Sequence, residues 1–505
     1  MTKPAMREPA APQPAEDAAA GARIQAEHPT PPAGQDPARQ GRDLETARQG
    51  RDLETARQGR DTDPARQGRD TDPARQGRDL ETARENGDPD TATPKLDAVR
   101  AAQPLAGRRV LMIVENLPLP FDRRVMQECR TLKAAGAEVA VICPTGKGHE
   151  ATYEAVEGIH IYRHPLPLDA KGALGYLLEY SAALWHEMRL ALKIRRRHGF
   201  DTIQACNPPD LIFLVALPFK WFAGTRFIFD HHDINPELYE AKFGRRGFFW
   251  KLMVLFERWT FRAADVVIST NDSYARIARE RGGKDPADVF VVRSGPDLTR
   301  LEVLPPSDTW RNGRRHMVGY VGVMGAQEGL DLLLEAAAEL VLRQEHDIQF
   351  VLVGGGPELE DLRAMARDMG LEGHVTFTGR APDRELFEVL STADVCVNPD
   401  RVNPMNDLST MNKILEYMAF SKPIVQFDVT EGRVSASEAS LYAAPNDTAD
   451  LAAKIAALLE APALRAEMGQ IGRSRVRTTF SWDHQVDRLI AAYRRAVDKG
   501  TGGNG

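Results

Sequence analysis

Between Pro404 and Ala419 the chain reads PMNDLSTMNKILEYMA, in which polar residues with Ser409 and Thr410 stand immediately before an amphipathic helical pattern. A helix starting there presents unpaired N–H groups and the positive end of its dipole, and so favours an anion. Lys413 adds a full positive charge within the first turn. Glu416 follows one turn later on the same face, suited to hydrogen-bonding sugar hydroxyls. The ligand chemistry implied is a phosphate beside a ribose. The same spacing also suits an ordinary capped helix with a Lys–Glu pair on its surface, and spacing alone leaves both readings open.

Other stretches add to this pattern. VLVGGGP, Val351 to Pro357, is a strand running into three glycines, which permits a tight turn and close approach of backbone to a ligand. Gly322 and Gly325, in VGVMGAQEG, repeat the device after the preceding strand. The alternative is that Gly354 to Gly356 only turn the chain into the helix from Glu358. Arg293 ends the strand VFVVRSG, where a guanidinium can take phosphate oxygens bidentately or close an interdomain salt bridge. FIFDHHDINPE sets His231, His232 and Asp233 at the end of another strand. An imidazole there can orient a hydroxyl or accept a proton, or simply cap the strand. Asn207 to Asp210 end the preceding strand and line the same pocket. His231, His232, Cys129 and the carboxylates lack H-x-x-H or C-x-x-C spacing, so no obligatory metal is expected.

The elements that must hold these residues alternate between strand and helix. Apolar strands are expected from Arg109 and over Glu138 to Cys143, Ile159 to Arg163, Thr202 to Cys206, Arg226 to Asp230, Asp265 to Thr270 and Val289 to Arg293. Helical stretches lie between them, which is the rhythm of a parallel sheet with crossover helices. After a Pro-containing connection at Leu304 to Pro306 the pattern restarts, with strands at Met317 to Val321, Gln349 to Val353, His374 to Thr378, Val395 to Asn398 and Pro423 to Phe427. Two doubly wound α/β domains follow, at 108–303 and 304–480, whose strand C-termini face a shared crevice.

The 505-residue chain carries a net charge of −7 and no overall basic excess, which argues against nucleic acid as a partner. Its four cysteines lie far apart, as expected for reduced thiols in a cytoplasm. No apolar signal core opens it, and no run reaches the ~18 apolar residues of a membrane span. Gly172 to Phe200 and Phe248 to Arg262 are amphipathic and basic, reading either as core-packing helices or as surfaces for peripheral contact with an anionic bilayer. Met1 to Gly107 contains no aromatic residue and no cysteine, and is expected to be disordered. Within it, Ala38 to Thr82 holds five charge-neutral nine-residue repeats, ARQGRDLET or ARQGRDTDP, a solvated spacer or a partner-docking array.

Over Arg109 to Val497 the order of these motifs resembles the family 4 glycosyltransferases, retaining enzymes of the GT-B fold. The resemblance rests on LPLPFDRRVMQECRTLKAAGAEVAVICP, HHD, VVRSGPD, VLVGGGPE and NKILEYMAFSKPIV. It implies a second domain that binds a nucleotide-diphosphate sugar as donor substrate, with no cofactor. Glu416 matches the second Glu of the family's E-x7-E motif, expected on the ribose. Gly354 and Gly355 match its glycine turn, and His232, with Asp233 beside it, matches the His near the reacting centre. The donor phosphate leaves from the face the acceptor attacks, so catalysis consists mainly of holding the pyrophosphate.

Family acceptors are commonly polysaccharide, lipopolysaccharide or lipid-linked glycans, which places the expected reaction at the inner membrane face. Two departures stand out. The first Glu of the motif is Leu408, and the Arg and Lys expected after the first strand of the donor domain are replaced by Val323, Gln327 and Glu328. Lys413, the backbone of Ser409 to Asn412, and Arg293 are the expected substitutes for the phosphate clamp. Asp407 stands in for the missing Glu, Gly325 borders the donor, and backbone around Arg380 meets the base. The segment 481–498, preceded by Phe480 and including Trp482, is expected to cross back onto the first domain. A non-catalytic scaffold of a polysaccharide assembly complex, or an epimerase or phosphorylase on the same fold, are the rival readings.

Overall fold

The computed structural model describes residues 94–146, 148–165 and 172–501. The repeats lie outside the described residues. Eight strands build the first sheet: β1 (Arg109–Ile113), β2 (Glu138–Pro144), β3 (Tyr153–Val156), β4 (Ile159–His164), β5 (Thr202–Cys206), β6 (Arg226–His231), β7 (Val266–Ser269) and β8 (Val289–Val291). Their order is β3-β4-β2-β1-β5-β6-β7-β8, and every pairing is parallel except that of β3 with β4. The parallel strands are short apolar runs because helices cover both faces of the sheet.

β3 escaped the expected strand list. It is an edge strand with alternating exposure, joined to β4 through Glu157 and Gly158, both at positive φ (52° and 74°), which is the backbone of a tight hairpin.

The second sheet holds β9 (His316–Val321), β10 (Ile348–Val353), β11 (Val375–Gly379), β12 (Val395–Asn398), β13 (Ile424–Phe427) and β14 (Ser440–Ala443). All its pairings are parallel, in the order β11-β10-β9-β12-β13-β14. The strand order reverses beside β1 in one sheet and beside β9 in the other, so a crevice opens past the carboxyl ends of β1 and β5, and of β9 and β12. Each sheet buries apolar side chains on both faces, Met112 and Ile228 against Ile113 and Phe229 in the first, Val318 and Phe350 against Met317 and Val351 in the second.

The last helix, Asp483–Thr501, belongs to the first domain by packing. Trp482, Val486, Leu489, Ile490 and Tyr493 join the core around Met112 and Ile228. The indole N–H of Trp482 donates to Thr131 Oγ1 at 2.9 Å. The crossing is close. A Cβ on Gly295 would lie 1.9 Å from the Phe480 carbonyl oxygen, so only glycine fits there.

The expected tail boundary at Gly107 is corrected. A helix at Pro94–Ala102 packs on the terminal helix, burying Val99 and Leu105 in the same core, and Lys95 pairs with Asp487 at 2.6 Å. This helix precedes the first Phe, Tyr or Trp of the chain, and partner side chains some 390 positions away supply the contacts that local composition lacks. Among the described residues, no helix is long and apolar enough to cross a membrane.

Candidate functional site

On the first-domain wall, side chains alternate between faces of the sheet through β6 and the residue after it, so His231 and His232 have different fates. His231 is buried between Phe229, Phe261 and Tyr274, and burial, with the Arg281 charge beside it, drives its pKa down to about 3. It is a neutral core residue.

His232 points the other way, where its Nε2 lies 2.9 Å from Asp230 Oδ2 and 2.9 Å from Arg124 Nε. One ring nitrogen cannot donate to the carboxylate and accept from the guanidinium at once, so the tautomer decides which bond is made. Burial pulls the His232 pKa down, but the Asp230 carboxylate and the bond to it prevail and the net direction is up.

Arg124 organises this wall. It donates to the Val292 carbonyl (2.8 Å), Ser294 Oγ (3.1 Å) and Asp230 (3.1 Å), and it pairs with Glu128 at 3.1 Å. Gln204 donates to Glu128 (2.6 Å) and Asp230 (2.9 Å), and accepts from the Tyr493 hydroxyl (2.6 Å). Burial works to raise the Asp230 pKa, yet Arg124 and His232 hold it well below the usual carboxylate range. Burial and the Asp230 charge push Glu128 up to about 8. Asp230 of β6, held toward its ionised form, and Glu128 of the helix Arg123–Ala134, pushed toward its protonated form, thus share a single guanidinium.

Asn207, just past β5, braces the HHD turn. Its Oδ1 accepts the N–H groups of His232 (2.8 Å) and Asp233 (3.1 Å), and its Nδ2 donates to the Asp233 carbonyl (2.6 Å) and to Asp210 (2.9 Å). Asp233 is hydrogen-bonded by Asn116 and its pKa is raised, mainly by burial.

Sequence spacing showed no metal motif, but the fold brings Cys206, Asp230 and His232 within 4.8 Å of one another, the one such triplet among the described residues. They fit a cation poorly. Arg124 already supplies positive charge to Asp230, while burial and Asp230 push the Cys206 thiol well above its ordinary pKa. A metal would have to compete with a guanidinium for its only ionised ligand.

Across the crevice, the glycine turns of the second domain interlock through backbone. Gly322 N–H donates to Val353 O (3.0 Å), Met324 to Gly355 O (3.0 Å) and Glu358 to Met324 O (3.0 Å). A Cβ on Gly354, whose φ is +141°, would fall 1.8 Å from the Gly322 carbonyl oxygen. Gly354 is therefore required by the neighbouring turn. Gly355 is open instead, since its nearest neighbour would be Arg380 N at 3.9 Å, and a ligand can approach its backbone there. At Gly325 the nearest atom would be Gln327 Oε1 at 3.0 Å.

The residues expected to replace the phosphate clamp are engaged elsewhere. Lys413 Nζ is buried against Glu328 Oε2, Asp400 Oδ1 (2.7 Å) and the Tyr320 ring (4.9 Å to its centroid). Burial opposes its charge, but Asp400 and Glu328 carry its pKa upward. Arg293 is the interdomain salt bridge of the two sequence readings, joining Asp272 (2.7 Å) to Glu431 (3.5 Å). Ser409 Oγ donates to the Met405 carbonyl (2.8 Å) and bonds the Tyr274 hydroxyl across the domain seam (2.9 Å). Asp407 accepts from Thr430 N (2.8 Å) and Oγ1 (3.0 Å), capping the helix Thr430–Ala436, whose own N-cap Val429 makes no side-chain bond. Arg380 lies over the Phe121 ring of the first domain, 4.6 Å from its centroid.

Two of the expected donor residues do line the crevice. Asn412 and Glu416 face Arg123, Arg124, Ser294 and Gly295 in one cleft. The helix Asn412–Ala419 begins without a side-chain cap. Burial raises the Glu416 pKa while Arg123, 3.6 Å away, opposes the rise. Sequence reasoning named neither Arg123 nor Arg124. The available signal was the Asp122 N-cap in PFDRRV, whose carboxylate accepts the Val125 N–H at 3.0 Å and so sets which arginine turns inward.

Residues 122–295 match the family described as glycosyl transferase 4-like domain, and residues 315–461 the family of glycosyl transferases group 1. Together the two matches span more than half of the chain. A 2-deoxystreptamine glucosyltransferase of Streptomyces kanamyceticus is 26% identical over 356 residues, 68% of this chain and 89% of that protein. Sucrose-phosphate synthase from Thermosynechococcus elongatus aligns with a TM-score of 0.65 at 20% identity, over 78% of this chain and all of that one (100%). An Anabaena protein crystallised with UDP and glucose aligns with a TM-score of 0.57 at 16% identity, over 78% and 100% respectively. With two parallel-sheet domains facing a crevice lined by Asn412 and Glu416, the chain is a glycosyltransferase of GT-B fold, its first domain of the glycosyl transferase 4-like family and its second of the glycosyl transferases group 1.

Proposed function

We propose that the chain moves a sugar from a nucleotide-diphosphate sugar to a hydroxyl acceptor, with retention of configuration and without a metal. The observation that carries this reading is the pairing of two walls. Asn412 and Glu416 line the cleft from the second domain, and His232, held by Arg124 and Asp230, stands on the first. Glu416 accepts hydrogen bonds from the ribose, Gly355 leaves room for backbone contact with the diphosphate, and the open N-terminus of the helix Asn412–Ala419 faces its charge. His232 orients the reacting sugar and, through Asp230, stabilises positive charge as the sugar–phosphate bond lengthens. The leaving phosphate takes the acceptor proton.

The acceptor is proposed to be a lipid-linked glycan of cell-surface polysaccharide synthesis, met at the cytoplasmic membrane face. Support comes from the helices Phe213–Ala223 and Phe248–Ala263, which expose Trp221 (70%), Phe222 (89%), Phe248 (74%) and Phe249 (52%). Lys251, also exposed, follows Phe248 and Phe249 on the second helix, a combination of apolar and basic groups that suits an anionic bilayer surface.

A non-catalytic scaffold is favoured by one observation, the commitment of Lys413 and Arg293 to protein carboxylates. A thermal-shift screen of nucleotide sugars, followed by transfer and hydrolysis assays with His232→Gln, separates the two. A transferase is stabilised by one donor class, and H232Q keeps that shift while losing at least about ten-fold in turnover. A flat screen would favour the scaffold.

A further inference from the structure

The donor diphosphate needs positive charge, and the second domain has little to give. Where the family resemblance led one to expect Arg and Lys, Val323 and Glu328 stand instead. Lys413 is closed off by Glu328 and Asp400, Arg293 by Asp272 and Glu431, and Arg380 covers Phe121. On the opposite wall Arg124 spends its donors on Val292, Ser294, His232 and Asp230.

Arg123 differs from all of these. It is the first residue of the helix Arg123–Ala134, its side chain is 55% exposed, and it lines the cleft beside Asn412 and Glu416. Its two contacts reach over from the acceptor-side domain to the donor-side domain, to Asp383 at 2.6 Å and to Glu416 at 3.6 Å. The Asp383 pair is exposed on both sides, and the longer Glu416 contact lies beyond direct hydrogen-bond range. An exposed ion pair contributes little in water, so a diphosphate arriving between the domains can take over the guanidinium at small cost.

We propose that Arg123 is a donor-phosphate ligand supplied across the crevice by the acceptor domain, replacing the clamp that the donor domain lacks. This rests on the transferase reading and makes it more specific. In the described state Arg123 holds Glu416, the residue that the ribose requires. Donor binding exchanges the partners, with Arg123 moving onto the phosphate oxygens and Glu416 released to the sugar hydroxyls. Because the cation comes from the other domain, the charge of the leaving group draws the two walls together, and a nucleoside without phosphates does not.

The test is calorimetric titration of the full chain with inorganic pyrophosphate, UDP and GDP, and with uridine and guanosine as phosphate-free probes. Arg123→Ala is expected to weaken pyrophosphate and the bound nucleoside diphosphate by at least about ten-fold, the worth of one or two charge-assisted hydrogen bonds. Arg123→Lys should recover part of this, and nucleoside affinity should not change. Arg130→Ala, on the outer side of the same helix where Arg130 pairs with Glu157 at 2.6 Å, should leave all titrations as in the unmodified chain. The proposal is overturned if R123A binds diphosphates normally, if nucleoside affinity falls equally, or if R130A has the same effect. An unmodified chain that binds no diphosphate would sink the transferase reading itself, a result distinct from any of those three.

Discussion

Each domain carries a knot of one buried cation and two carboxylates at the crevice, and the two knots do opposite things. In the first, Arg124 meets Asp230 and Glu128 at 3.1 Å each. In the second, Lys413 meets Glu328 and Asp400. A guanidinium has five donors in a planar fork, enough to hold both carboxyls and still reach His232, whereas an ammonium is a compact charge that two carboxylates enclose. The first knot therefore also holds an imidazole, that of His232. The second consumes the charge that its position on the motif helix promised to a ligand. Both set one cation against two carboxyls; what differs is the number of donors left once these are satisfied.

Three measurements would break or sharpen this comparison. The largest effect is expected from Arg124→Met, which strands the buried Asp230 and Glu128 without their cation. Stability to urea should fall by about 3–5 kcal/mol, as for other buried pairs that lose one partner. A loss below about 1 kcal/mol would mean that the knot is not the structural centre of its wall.

Lys413→Met should cost less, about 2 kcal/mol, because burial and neighbouring Glu328 already raise the Asp400 pKa to about 7 and let it take up a proton. The double variant K413M/E328Q should regain most of that loss, with diphosphate affinity within about three-fold of the unmodified chain. If K413M instead lost diphosphate binding at unchanged stability, Lys413 would be a phosphate ligand and the contrast between the knots would fail.

The third measurement concerns pH. Burial and the Asp230 charge raise Glu128 to about 8 in the folded state, above its unfolded carboxylate value. For a raised acid, the stabilisation is complete below the unfolded pKa and is lost as pH climbs through the folded one. Relative to Glu128→Gln, which keeps the protonated shape, the unmodified chain should therefore lose stability progressively as pH rises from 5 to about 8. Parallel unfolding curves for the two proteins across that window would show that Glu128 is already ionised.

Much of the scaffold was legible beforehand because short apolar runs bounded by glycine and proline report strand burial locally. The expected parallel strands all formed. β3 and β14 were missed, one at each sheet's edge, where half-exposed strands carry a weak apolar signal. The site was legible in part. Glu416 and Asn412 line the crevice, while the HHD turn sets His232 against Arg124, which lines it too. That His231 would be core and His232 the one held by Asp230 follows from strand alternation, once it is known which sheet face the terminal helix covers.

What the sequence determined by itself is the set of elements and their order, since hydrophobic period, glycine turns and capping residues act within a few positions. Which charged groups remain available to a ligand was decided only by tertiary structure. Glu328 meets Lys413 over 85 positions, Arg293 meets Glu431 over 138, and Arg123 meets Asp383 over 260. At such contacts a charge is satisfied or left open by distances of a few ångström between elements that no local pattern relates.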